Sequence, residues 1–112
     1  MIEQTVRDFL ALQLPVPVEL EVPSEQLVPR YVVVEKTGSG EQNHLCTATF
    51  AVQSYGLSLY EAAQLNNAVK AAMDRLIELD NVTKSQLEGD YNYTDREKKQ
   101  YRYQAVYQIT HY

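Results

Sequence analysis

Residues 58–79, SLYEAAQLNNAVKAAMDRLIEL, place Ala62, Leu65, Val69, Ala72, Met73, Leu76 and Ile77 on one stripe of a 3.6-residue period, with Gln64, Asn67, Lys70 and Arg75 off it. A helix with one apolar stripe must bury it against another layer. Segments of period 2 flank it on both sides, and they supply that layer as a sheet. Ser58 followed by Glu61 is a capping box, so the helix begins just after Ser58.

Upstream, RYVVVEK (30–36) is a β-branched run, and HLCTATFAVQSY (44–55) alternates Cys46, Ala48, Phe50 and Val52 against Thr47, Thr49 and Ala51. TGSGEQN (37–43) lies between them and reads as a flexible hairpin tip. Downstream, NVTKSQLEGDYNY (81–93) and YRYQAVYQITHY (101–112) read as a second hairpin around the polar tip TDREKKQ (94–100). In the last strand, Tyr101, Tyr103, Ala105, Tyr107 and Ile109 share one face and Arg102, Gln104, Val106, Gln108, Thr110 and Tyr112 the other. The first set suits packing under the long helix; the second suits a wet protein contact.

At the N-terminal end, Ile2, Val6, Phe9 and Leu10 recur at helical spacing, and Pro15 ends the pattern, giving a short helix over 2–13. VPVELEVP (16–23) alternates Val18, Leu20 and Val22 against Glu19 and Glu21, a strand that Pro17 and Pro23 confine to an edge or a short piece. The expected fold is therefore α+β: a mainly antiparallel sheet of four to five strands packed by one long helix, with a short N-terminal helix. One domain spanning 1–112 is expected, able to bury roughly 65% of the surface of the unfolded chain.

Few residues carry chemistry. His44 and Cys46 stand at i and i+2, the spacing of a same-face pair on a strand, but no second ligand pair accompanies them, and the other histidine is His111. Lys36-Thr37-Gly38 lacks the Ser-x-x-Lys nucleophile that a serine β-lactamase needs, and no phosphate loop is present. Glu19 with Glu21, and Glu88 with Asp90, read as solvated edge carboxylates that discourage stray strand pairing. No enzyme, metal or cofactor is expected.

The net charge of −5 opposes a nucleic-acid grip, which needs a basic stripe that releases counterions. Arg96-Glu97-Lys98-Lys99 is a solvated loop rather than such a stripe. A single cysteine, no signal-peptide pattern and no apolar run near the roughly 20 residues of a membrane span give the expectation of a soluble, cytosolically folded protein with no membrane partner. Tyrosines number nine, six of them at or beyond Tyr91, and tyrosine favours half-buried surfaces and interfaces.

The joint order of the strand with its EKTG tip, ATFAVQSY, SLYEAAQLNNAV and the closing YRYQAVYQITHY, over residues 29–112, resembles the tail-terminator or tail-completion proteins of long-tailed bacteriophages and prophages. That resemblance implies a structural virion protein of the tail, assembled in the host bacterial cytoplasm. It implies a self-assembled ring, typically hexameric, that caps the tail tube protein, ends its elongation and joins a head-tail connector or stopper protein. DNA would pass through the lumen without specific binding, which an acidic wall favours. A ring needs two different flanks on each subunit, and the terminal hairpin and the proline-bounded strand are the candidates. The candidate subunit or tube interface comprises Lys36, Gly38, Gly40, Tyr91, Tyr93, Arg96, Tyr101, Arg102, Gln104 and Tyr112. A head-completion or stopper neck protein and a small non-enzymatic binding module are the alternatives.

Overall fold

A computed structural model describes residues 1–23 and 29–112. The elements run α1 (Ile2–Gln13), β1 (Val18–Glu19), β2 (Tyr31–Gln42), β3 (Leu45–Gly56), α2 (Leu59–Asp74), a 3₁₀ turn (Leu76–Glu78), β4 (Val82–Asn92) and β5 (Tyr101–His111). They form one five-stranded sheet in the order β1-β2-β3-β5-β4. Only the β1–β2 pair is parallel; the others are antiparallel. The fold is α+β, as the periodicities predict.

Both helices lie on one face of the sheet. α1 packs on β1 and β2, while α2 packs on β3, β5 and β4. Val6, Phe9 and Leu10 of α1, Val69 and Met73 of α2, and Val32, Val34, Phe50, Val52, Tyr107 and Ile109 of the strands form one core. Tyr107 is its largest fully buried side chain; its hydroxyl donates to Lys70 O at 3.3 Å or Asp74 Oδ1 at 3.4 Å. Burial and the nearby Asp74 carboxylate push its ionisation well above the ordinary tyrosine range.

The caps follow local chemistry. Leu14, before Pro15, turns extended and ends α1. Ser58 Oγ accepts from Glu61 N–H at 3.2 Å. The Glu61 carboxylate reaches back to Leu57 N–H, one residue before the cap, and also pairs with Arg30 at 2.6 Å. Arg30 foremost, then the Leu57 amide, holds that carboxyl below its usual range.

Several expectations are corrected. Residues 37–43 are not a flexible tip: β2 continues through Gln42, and the hairpin closes on the two residues Asn43 and His44, with φ of 53° and 68°. Positive φ at both central residues matches the twist of the strands, and Asn tolerates it well. Thr37 forms a bulge, and the Gly-Ser-Gly that suggests a loop is paired in register with Ala48 and its neighbours. The strand expected over 18–22 contracts to Val18–Glu19; beyond it Leu20 and Val22 are exposed. Ile77 leaves the apolar stripe and is 55% exposed, because α2 ends at Asp74 and the tighter 3₁₀ turn rotates it outward. The 94–100 tip is held by paired backbone bonds between Asp95 and Gln100 and by Asp95 Oδ1 accepting from the Glu97 and Lys98 amides.

Asn66, unremarked in the sequence, is buried on α2 and donates to Asp90 Oδ1 at 2.7 Å, while Lys70 pairs with the other carboxylate oxygen. Lys70, with Asn66 assisting against partial burial, keeps the Asp90 carboxyl below its usual range. A bulge at Glu88 separates the two carboxylates expected on one face: Glu88 stays exposed while Asp90 turns to α2. This polar clamp fastens the helix to β4.

Candidate functional site

The face of the sheet opposite the helices is built from alternate residues of the same strands. Register places them in rows. Tyr31, Tyr55 and Arg102 stand opposite one another on β2, β3 and β5, with Tyr93 beyond, its amide bonded to Arg102 O. The next row runs Glu19, Val33, Gln53, Gln104, Tyr91 across all five strands.

Tyr31 and Tyr55 stack at 4.4 Å between centroids, 16° from parallel, and both are buried. Burial raises the ionisation of the Tyr31 hydroxyl. The Arg102 guanidinium lies 4.6 Å from the Tyr93 ring centroid and 5.8 Å from that of Tyr55. Its Nε donates to Tyr93 O at 2.6 Å and its Nη1 to the Tyr55 hydroxyl at 3.2 Å. Tyr91 meets Tyr93 edge to face at 6.0 Å.

Hydrogen bonds join these rows in one direction. Arg102 donates to Tyr55, Tyr55 O–H to Gln53 Oε1 at 3.3 Å, Gln53 Nε2 to Gln104 Oε1 at 2.9 Å, and Gln104 Nε2 to the Tyr91 oxygen. Each donor feeds the next acceptor, so the chain ends on the Tyr91 hydroxyl, whose proton points to no protein acceptor among the described residues. Linked dipoles of this kind reinforce one another and fix the side chains in place. The result is a rigid Tyr/Gln/Arg surface whose exposed end is Tyr91 and Tyr93, 44% and 45% accessible.

The structure therefore brings Tyr91, Tyr93, Arg102 and Gln104 together. It does not gather the rest. Lys36 points to the helix side and pairs with Glu3 of α1 at 3.2 Å; Glu3, bonded to its own backbone amide and to Lys36, is held below the usual carboxyl range. Gly38 and Gly40 lie on the distal β2–β3 arm, Gly40 close enough to Thr47 that a Cβ there would sit 3.0 Å from its Oγ1. Tyr101 lines a cleft of about 360 Å³ with Arg96, Leu59, Asn92, Thr94 and Lys99, and a second, smaller one with Tyr31 and Tyr55 at the end of the sheet. Tyr112 is exposed, its amide bonded to Asn81 O at 3.0 Å. Gln53, Tyr55 and Tyr31 join this surface without being singled out by residue type or spacing. Alternation puts Gln53 and Tyr55 on one face with Ala51, a signal that was present; only the non-sequential β3–β5 pairing sets them opposite Gln104 and Arg102.

The His44–Cys46 pairing is corrected. His44 occupies the turn with positive φ, and Cys46 instead stands opposite His111 across the β3–β5 ladder. Among the described residues no three potential ligands cluster for a metal, and no helix is long and apolar enough to cross a membrane. The chemistry this surface offers is recognition by aromatic area, hydroxyl and guanidinium donors.

Neither a protein-family model nor a curated protein matches the sequence. Among solved structures, a chain in the virion of the native gene transfer agent (GTA) particle shares the fold with a TM-score of 0.52. It is 11% identical, and the match covers 95% of this chain and 83% of that one.

Proposed function

We propose that this chain is a structural, non-enzymatic protein of a phage-type virion that forms a ring, six copies around, on the end of a tail tube. There it stops tube growth and presents the joining surface to the head connector. The observation that carries the reading is the near end-to-end fold match to a chain of a GTA virion. The ordered segments that resemble tail terminators point the same way, and the rigid Tyr/Arg surface has the composition of a protein contact centre. The tail tube protein, a connector or stopper protein and further copies of the chain are its partners, with assembly in the bacterial cytoplasm. Its net charge of −5 suits a ring through which DNA slides without being gripped.

The reading is tested by electron microscopy of tail tubes assembled from their own subunits with and without this chain. The expected result is a disc of density on one end of each tube and a shorter, narrower length distribution. Tubes that lengthen unchanged, with no added density at their ends, contradict it. Density on isolated connectors but not on tubes identifies a stopper instead.

A further inference from the structure

We propose that the end of the molecule where the β3–α2 corner meets the β4–β5 tip docks an acidic segment of a partner protein, anchored by one apolar side chain. The site lies within a single copy and does not depend on the ring. The corner exposes Leu57, Leu59 and Tyr60 at 57%, 40% and 71%, three large apolar side chains within four residues. Beside them is the cleft of about 360 Å³ lined by Leu59 and Tyr101, with Arg96 and Lys99 of the tip also in its lining. A second cleft, of about 160 Å³, shares Lys99 and Tyr101 with the first and is lined by Leu57 as well.

Charge identifies the occupant. The chain carries 15 Asp and Glu, yet among the described residues no carboxylate lines either cleft. Arg7, Arg30, Lys36, Lys70 and Arg75 hold ion pairs; Arg96 and Lys99 hold none among those residues. The Asp95 carboxylate of the same tip is taken by the Glu97 and Lys98 amides. Lys99 has a φ of 53°, a left-handed conformation that glycine adopts freely and lysine only with strain. A cation is thus kept, against the preference of its backbone, at the residue common to both clefts. Leucine and tyrosine area offers nothing to a phosphate backbone, and the net charge of −5 opposes one. Exposed ion pairs contribute little alone, so the apolar side chain supplies the affinity and the cations select its acidic neighbours. The tip is also braced beforehand: Asp95 and Gln100 exchange backbone bonds, and Thr94 Oγ1 donates to Asn92 Oδ1 at 2.6 Å. Little freedom is left to lose on binding.

The test titrates the isotope-labelled chain with a peptide of repeated Asp-Glu-Leu triplets and follows amide chemical shifts. The expected result is saturable binding with shifts centred on Leu59, Lys99 and Tyr101. Peptides with Asn and Gln in place of the acids, or Ala in place of Leu, bind about tenfold more weakly. Arg96→Gln and Lys99→Gly weaken binding of the original peptide by a similar factor, while Lys99→Gly, which relieves the strained backbone, melts no lower than wild type. That combination separates a binding role for Lys99 from a structural one. No binding, shifts confined to other regions, or equal binding of the uncharged peptide overturns the proposal. Duplex DNA that binds these residues more tightly than the peptide overturns it in favour of a phosphate site. A self-associated mass that the peptide lowers makes a second copy the occupant and overturns the partner assignment.

Discussion

Tyr107→Ala lowers the unfolding free energy by roughly 3–5 kcal/mol, the cost of removing a large aromatic from a packed core. Tyr107 is fully buried on β5, opposite Phe50 of β3, and belongs to the core that Met73 of α2 also enters. With total stability of about 5–15 kcal/mol for a small domain, such a loss brings the chain close to unfolding at 37 °C. Tyr107→Phe keeps the ring and gives up one long hydroxyl bond, shared between Lys70 O and Asp74 Oδ1, so it costs about 1 kcal/mol. Urea denaturation of the three proteins checks this. Equal losses from the two substitutions would mean that the hydroxyl, not the packing of the ring, holds α2 on the sheet.

Gly56→Ala is the second large effect. Gly56 ends β3 three residues before α2, where the first turn of the helix crosses the strand. A Cβ there would lie 2.7 Å from Ala62 N and 2.9 Å from Glu61 Cβ. The nearest atom is backbone, so the helix itself must move, at a cost of about 1–3 kcal/mol, and more for Gly56→Val. Gly38→Ala is the internal control: nothing lies within 4 Å of a Cβ at that site, and its φ is not positive. It is expected to be neutral or to stabilise by about 0.4–1 kcal/mol through the unfolded chain. Melting temperatures ranked Gly38→Ala, then wild type, then Gly56→Ala are the expected result. A Gly56→Ala protein as stable as wild type would show that α2 rides on the sheet more loosely than this close approach requires.

These two residues show what the sequence discloses. Tyr107 is legible from alternation alone, because Ala105, Tyr107 and Ile109 mark the core face of β5. The need for glycine at 56 is not, because it arises from a helix crossing set by tertiary packing. α1 and the start of α2 are readable for local reasons: Pro15 and the Ser58–Glu61 pair act within a few residues of themselves. The arm of β2 is hidden because Thr-Gly-Ser-Gly-Glu-Gln has the composition of a turn, and only pairing with the long alternation of β3 makes it a strand. Asn66 is hidden for a related reason. Its burial depends on Asp90, which is 24 residues away on a strand whose register the helix pattern does not encode.

The candidate surface divides the same way. Tyr91, Tyr93, Arg102 and Gln104 stand out by type and by their period of 2. Their connection through Gln53 and Tyr55 depends on β5 lying between β3 and β4, a strand order that no local signal carries. Lys36 illustrates the converse: it is prominent beside a glycine-rich stretch, yet its partner is Glu3 on α1.

The most direct test of the head-to-tail ring is molar mass by light scattering across a chromatographic peak, repeated over a wide range of protein concentration and salt. A ring gives a species of six 12.8 kDa copies that grows at the expense of monomer as concentration rises, with a central hole in electron micrographs. A mass of 12.8 kDa at every concentration, from a chain that also leaves tail tubes undecorated, would contradict it.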